Sequence, residues 1–193
     1  MLRSHLGLGR TAVALAGLGR RQLFADPFSG LPAPADTGEW LTRRQLGPVV
    51  LLEDTLVQDL AMTSSEVLVV LGDVIGTVGA RLLGRRFPLL HPDAWAAAEP
   101  TAREQLARRV FARLGNIAAA DVSTSDTGLS LDVRACRFVD LLHRLGRPHL
   151  GSLFCEADAV FFENADAPVS LIRTTTLARG GPRCDFRFRL RGV

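Results

Sequence analysis

The chain has 193 residues and a mass of 20.8 kDa, with 47% hydrophobic and 22% charged residues, which suits one domain plus an appendage and excludes wholesale disorder. All 23 basic residues are Arg, set against 20 acids, for a net charge of +3. The Arg are concentrated at the two ends and the middle is net acidic, so the sequence offers no long basic surface to displace counterions from a nucleic acid.

Residues 1–25 carry Arg3, Arg10, Arg20 and Arg21 and no acid. They have some character of a targeting peptide, but Gly7, Gly9, Gly17 and Gly19 interrupt the apolar stretch and no small-x-small cleavage site follows. With residues 26–39, rich in Pro, Gly and Asp, they read as an N-terminal tail and linker. Residues 40–62 repeat apolar positions near the helical period. Thr63 and Glu66 then form a capping-box signature ahead of a second helix, expected to end near Gly84-Arg-Arg-Phe-Pro88. Gly72, Gly76 and Gly79 make a small-residue stripe that implies close helix packing. No run approaches the ~20 apolar residues that span a bilayer.

Residues 89–100 read as a loop and 101–114 as an Arg-rich helix. The period then changes. Ala118–Val122 and Leu129–Val133 flank a turn-rich segment and predict a hairpin. Residues 136–146 and the segment after Pro148 return to helix. Residues 169–178 and 184–190 read as two more strands around the turn Arg179–Arg183. The expected fold is α+β: a helical N-terminal half (40–114), then a four-stranded antiparallel sheet with two inserted helices (115–193), together one domain over 40–193.

Walker, dinucleotide, His-Glu-x-x-His and nucleophile-elbow motifs are all lacking. The chemistry-bearing residues are Cys136, Cys155, Asp158, Cys184 and Asp185. Cys136 falls in the first turn of a predicted helix, where amides and dipole favour a thiolate. Cys155 and Asp158 are three apart and share a helix face. Strand alternation sends Cys184, Phe186 and Phe188 to one side and Asp185, Arg187 and Arg189 to the other, which lets Cys184 approach Cys155. Free Cys is also a common space-filler. A zinc site is a rival reading of three thiols and a carboxylate, but no Cys-x-x-Cys pair or His ligand spacing supports it, and no metal or cofactor is expected. Three Cys, sparse and odd in number, point to a reducing, cytoplasmic setting.

The order Cys136-Arg-Phe, Leu145-Gly-Arg-Pro, Leu150-Gly-Ser-Leu-Phe-Cys-Glu-Ala-Asp158, Arg173-Thr-Thr-Thr-Leu and Gly181-Pro-Arg-Cys-Asp-Phe-Arg-Phe-Arg189 resembles the L-2-amino-thiazoline-4-carboxylic acid hydrolase family from about Leu114 to Leu190. The resemblance implies a hydrolase acting on C–N bonds of cyclic amidines. Its reaction would open the cyclic isothiourea of L-2-amino-thiazoline-4-carboxylate to a carbamoyl-cysteine, on a route to L-cysteine. Two departures bear on the pocket: Asn164–Pro168 stands where an aromatic and a Gly are expected, and Thr175 stands where Gln is common.

On this reading Cys155 is the nucleophile, with Cys136 and Cys184 as rivals. Asp158 holds the amidinium or acts as acid and base, and Asp185 is the second carboxylate candidate. Arg173 or Arg183 binds the substrate carboxylate, and Thr174 and Thr176 line the pocket. The hydrolytic reading expects a low-pKa thiol beside a carboxylate in a closed hollow. The expected partner is a small molecule, with no nucleic acid and no membrane. A non-catalytic binding module, or a thiol redox or metal protein on the same fold, remains open as an alternative.

Overall fold

The computed structural model describes residues 1–86, 92–112, 115–164, 167 and 169–191. The chain divides into two compact units, Met1–Ile75 and Gly76–Val193. The division falls inside a helix, not at the 39/40 boundary read from composition.

In the first unit the expected tail is a helix, α1 (Leu2–Phe24), kinked where Gly7 takes φ +73°. It lies against α2 (Thr37–Gln58). The approach is close because Gly17 has no side chain: a Cβ there would stand 2.8 Å from Thr55 Cγ2. The Arg21 guanidinium also bridges from α1 to Gln58 (2.9 Å), the last residue of α2, and to Asp59 (2.9 Å) just past it. Asp36 caps α2 by accepting from the Glu39 N–H at 2.7 Å. The capping box at Thr63 forms as read, with the Thr63 N–H donating to Glu66 Oε2 at 2.8 Å. It opens α3 (Ser64–Arg86).

By length and composition alone, Ser64–Arg85 is long and apolar enough to cross a membrane. This corrects the expectation that no such run exists: Glu66, Asp73 and Arg81 break the string of letters but are too sparse to make the segment polar. In the second unit the C-terminal part of α3 has a packing partner. A Cβ on Gly79 would sit 2.6 Å from Ala157 Cβ, and one on Gly76 would meet Val160 Cγ2 at 3.4 Å. Two of the three stripe glycines therefore seat α3 against α7 (Gly151–Phe162). Of the expected stop, Phe87 and Pro88 lie outside the described residues, as do His91, Leu114 and most of 164–168.

The rest of the second unit is the sheet and its helices. A short α4 (Pro92–Ala96) interrupts the expected loop, and α5 spans Pro100–Ala112. The hairpin β1 (Ile117–Ser125) and β2 (Gly128–Cys136) is longer than its sequence signal, turning at Asp126 and Thr127. Then come α6 (Arg137–Arg144), a 3-10 turn (Pro148–Leu150), α7, β3 (Val169–Ile172), a second 3-10 turn (Leu177–Arg179) and β4 (Cys184–Leu190). The antiparallel order is β1-β2-β4-β3. β3 is shorter than the strand expected over 169–178, because Thr174 and Thr175 turn their amides to a side chain and leave the ladder.

Register and alternation sort the two sheet faces. Leu129, Leu131, Val133, Cys184, Phe188 and Leu190 join a buried core with Trp95 of α4, Ala107, Val110 and Phe111 of α5, and Phe162 of α7. Phe188 is its hub, with ring centroids 5.2 Å from Phe162 and 5.9 Å from Phe111. Trp95 donates its indole N–H to the Ser125 carbonyl at 3.0 Å. Arg103, nearly buried, donates to the Trp95 carbonyl and pairs with Asp126, which fixes α5 to the hairpin turn. The other face is charged. Asp121, Asp132 and Asp185 stand opposite one another across β1, β2 and β4, interleaved with Arg134, Arg183 and Arg187.

Candidate active site

Each candidate thiol is carried by a different element. Cys136 ends β2 and caps α6; Cys155 lies in the second turn of α7; Cys184 opens β4 on its apolar side. α6 and α7 are coupled by the stacked rings of Phe138 and Phe154, 4.5 Å apart. The three sulfurs and the Asp158 carboxylate are close enough to influence one another's ionisation, although the chain separates them by up to 48 positions. Among the described residues no group of three or more His, Cys, Asp or Glu is arranged to hold a metal ion, and all three cysteines are free thiols.

Asp158 and Arg173 are the fixed pair at this junction. Arg173 Nη1 donates to Asp158 Oδ2 at 2.8 Å, Nη2 donates to the Cys155 carbonyl at 2.9 Å, and the guanidinium lies 5.3 Å above the Phe186 ring. Both side chains are largely buried, 13% and 22% exposed. One residue thus ties β3 to the turn of α7 that bears thiol and carboxylate, using a fork that Lys cannot supply. Burial raises the Asp158 pKa to about 6, against the opposing pull of Arg173.

The thiols differ from expectation. Burial pushes the Cys155 pKa up to about 12, helped by the charge of Asp158 and opposed by Arg173. Cys136 is also raised by burial. The amides of Val139 and Phe138 and the Asn116 side chain, 4.0 Å from the sulfur, pull the other way without overcoming it. Cys184 is raised by burial too, despite accepting the Leu177 N–H at 3.2 Å. The helix-start argument for a Cys136 thiolate fails because desolvation outweighs a few oriented amides.

Asp185 is on the opposite sheet face from Cys184, as alternation requires. It accepts from the Thr174 hydroxyl (2.6 Å) and from the Thr174 (2.9 Å) and Thr175 (2.7 Å) amides. Burial would raise its pKa, but these donors hold it below the ordinary value. Asp185 therefore moulds the segment after β3 and is not beside the sulfurs. Arg183 is half exposed against Asp132 on the charged face.

A cleft of about 340 Å³ is lined by Arg173, Thr174, Thr175, Thr176, Arg179, Gly180 and Gly181. A smaller one of about 180 Å³ is lined by Ala159, Phe162, Glu163, Leu171 and Arg173. Arg173, Thr174 and Thr176 line the larger cleft, and Arg183 lines neither. Arg173 borders both. Neither of these two clefts is enclosed and neither is lined by a cysteine. Sequence reasoning missed Arg179, read only as the start of a turn. Its signal was a cation directly before two glycines and after a Thr run, the composition of a bare-walled loop.

The α+β domain thus sets a largely buried carboxylate–guanidinium pair beside a polar cleft. A family model described as L-2-amino-thiazoline-4-carboxylic acid hydrolase matches residues 90–188, just over half of the chain and including every residue named above as a site candidate. The chain belongs to that family. No curated protein matches it.

Proposed function

We propose that the protein is a cytoplasmic, cofactor-independent hydrolase of a cyclic amidine or isothiourea, such as L-2-amino-thiazoline-4-carboxylate or a relative with a changed substituent. The observation that carries this reading is the Asp158 carboxylate, one helical turn from Cys155 and clamped by Arg173 at 2.8 Å. An ionised carboxylate in a largely desolvated position is a strong attractor for an amidinium. At neutral pH a group with a pKa of about 6 is mostly ionised, yet close enough to neutrality to carry a proton during turnover.

The Cys155 thiol is protonated in the resting protein. A cationic amidinium seated on Asp158 lowers the cost of the thiolate, so attack is coupled to substrate binding. In the first step Cys155 Sγ bonds to the amidine carbon and its proton passes to Asp158. The ring bond from that carbon to nitrogen then breaks, the leaving amine takes that proton, and an S-linked imidodithiocarbonate remains on Cys155. Water adds to the same carbon, Cys155 leaves as thiol, and the product is a carbamoyl-cysteine. Each turnover consumes one water and no other reactant.

The test is mass spectrometry of reactions with cyclic amidines and thiazolines, using wild type, Cys155→Ala and Asp158→Asn. The expected result is turnover by wild type only, with a substrate-mass adduct on Cys155 after acid quench. Asp158→Asn should lose 10²- to 10⁴-fold in rate, the usual range for a proton-transferring group. Turnover that survives in Cys155→Ala but not in Asp158→Asn would replace sulfur attack with direct attack by water, a route favoured by the raised thiol pKa. Unchanged activity in both variants would remove the site.

A further inference from the structure

We infer that Arg179 is the specificity-determining residue of this cleft, the group that selects ring substrates bearing a carboxylate. The inference takes its choice of ring from the proposed hydrolysis. Its anion-binding content stands on the cleft alone.

Two guanidinium groups border the 340 Å³ cleft. Arg173 is committed: its fork is taken by Asp158 and the Cys155 carbonyl. Arg179 has its side chain 66% exposed and one long contact, 3.4 Å to Glu156 Oε1. That contact puts its head group beside the residue that follows Cys155 in α7, next to the turn bearing thiol and carboxylate. A carboxylate held bidentately by Arg179 would thus belong to a molecule whose other end is within a small ring's reach of that turn.

The surroundings suit a small anion. Gly180 takes φ +79°, and a Cβ on Gly181 would collide with the Thr175 hydroxyl and crowd the Thr176 backbone, so this wall is bare backbone by necessity. The wall residue Thr176 is only 5% exposed and its hydroxyl has no hydrogen-bond partner. A buried polar group in that state is costly and is relieved by a ligand that reaches it. The lining residues include no carboxylate, and the acid an anion has to displace from Arg179 is the exposed Glu156, 3.4 Å away.

The experiment reads equilibrium binding separately from turnover. Thiazolidine-4-carboxylate has the ring and the acid but no amidine carbon to attack; thiazolidine lacks the acid as well. Calorimetry with the full chain should show wild type binding the acid and preferring it to thiazolidine. Arg179→Gln should weaken the acid at least tenfold and leave thiazolidine unchanged, and Arg179→Lys should fall between. In turnover assays Arg179→Gln should raise KM for a carboxylated thiazoline with kcat nearly constant, because the contact is the same in ground and transition states. Equal binding of the acid by wild type and Arg179→Gln, or no binding by wild type at millimolar concentration, overturns the inference. Carboxylate selectivity that depends on Arg179 without any turnover would uphold it and sink the hydrolytic reading; turnover with a KM indifferent to Arg179 would do the reverse.

Discussion

Asp158 and Asp185 sit at the two ends of one structural argument. Asp158, on α7, is packed inside with one guanidinium for company, and its proton affinity rises. Asp185, on the charged face of β4, gathers a hydroxyl and two amides from the segment after β3, and its proton affinity falls. Both help fix the stretch from Arg173 to Thr175, one through a cation and one through backbone donors. Burial with a single counter-ion keeps a carboxylate chemically restless, whereas several neutral donors around a half-exposed one make it a structural anchor. Removing a partner should therefore be costly at the first and mild at the second.

The largest effect is expected from Arg173→Ala. It leaves Asp158 largely buried without its cation and unhooks β3 from α7, a loss of about 3 kcal/mol by analogy with other broken buried pairs. Chemical denaturation should show it as a lower midpoint at unchanged slope. The double variant with Asp158→Asn should recover part of the loss, because the stranded charge is then gone; a fully additive double-mutant cycle would mean that the two side chains do not act as a pair.

Gly79→Val comes next. Its side chain would need the space of Ala157, whose Cβ is already 2.6 Å from where a Gly79 Cβ would be. Overpacking of this kind costs about 1–3 kcal/mol. Because Ala157 adjoins Asp158 on α7, the variant should disturb the Asp158–Arg173 pair and spare the Asp185 anchor. Amide exchange read residue by residue separates these: faster exchange in α7 and unchanged exchange at Thr174 and Thr175 is the expected outcome.

The contrast also shows what the letters of the chain could carry. The α+β class, the capping box at Thr63, the hairpin and the in-out alternation of β4 follow from local rules of period and turn chemistry, and they were legible. So was the shared face of Cys155 and Asp158, because helix geometry alone puts residues three apart together. The α1 docking was not, since nothing before the fold says that Gly17 meets Thr55 or that Arg21 finds Asp59. The thiol ionisation was misjudged for a similar reason. A helix start is visible in sequence; the burial that overrides it comes from residues distant in the chain. Arg183 and Arg179 were not separable by type or spacing. The in-register row of Asp121, Asp132 and Asp185 draws Arg183 to the charged face, and that row exists only once β1, β2 and β4 are paired.

The smallest effect is a difference in pH dependence. A carboxyl whose folded pKa stands near 6, above an unfolded value of about 4, binds its proton more tightly in the native state. Its contribution to stability is full below about pH 4 and is lost as pH rises through 6. Asp185 has the opposite sign: its folded pKa is lowered, so its contribution is present above about pH 4 and is lost as pH falls further. Thermal unfolding from pH 3 to 7 should therefore show Asp158→Asn removing a downward slope between pH 4 and 6 while gaining stability at neutral pH, provided Arg173 keeps its bond to the Cys155 carbonyl. Asp185→Asn should leave that slope intact, lose about 1 kcal/mol above pH 4 with the charge-assisted hydrogen bonds, and flatten the acid limb. Identical pH profiles for the two variants would mean that the carboxylates share one environment, and the distinction between a reactive and an anchoring acid would have no physical basis here.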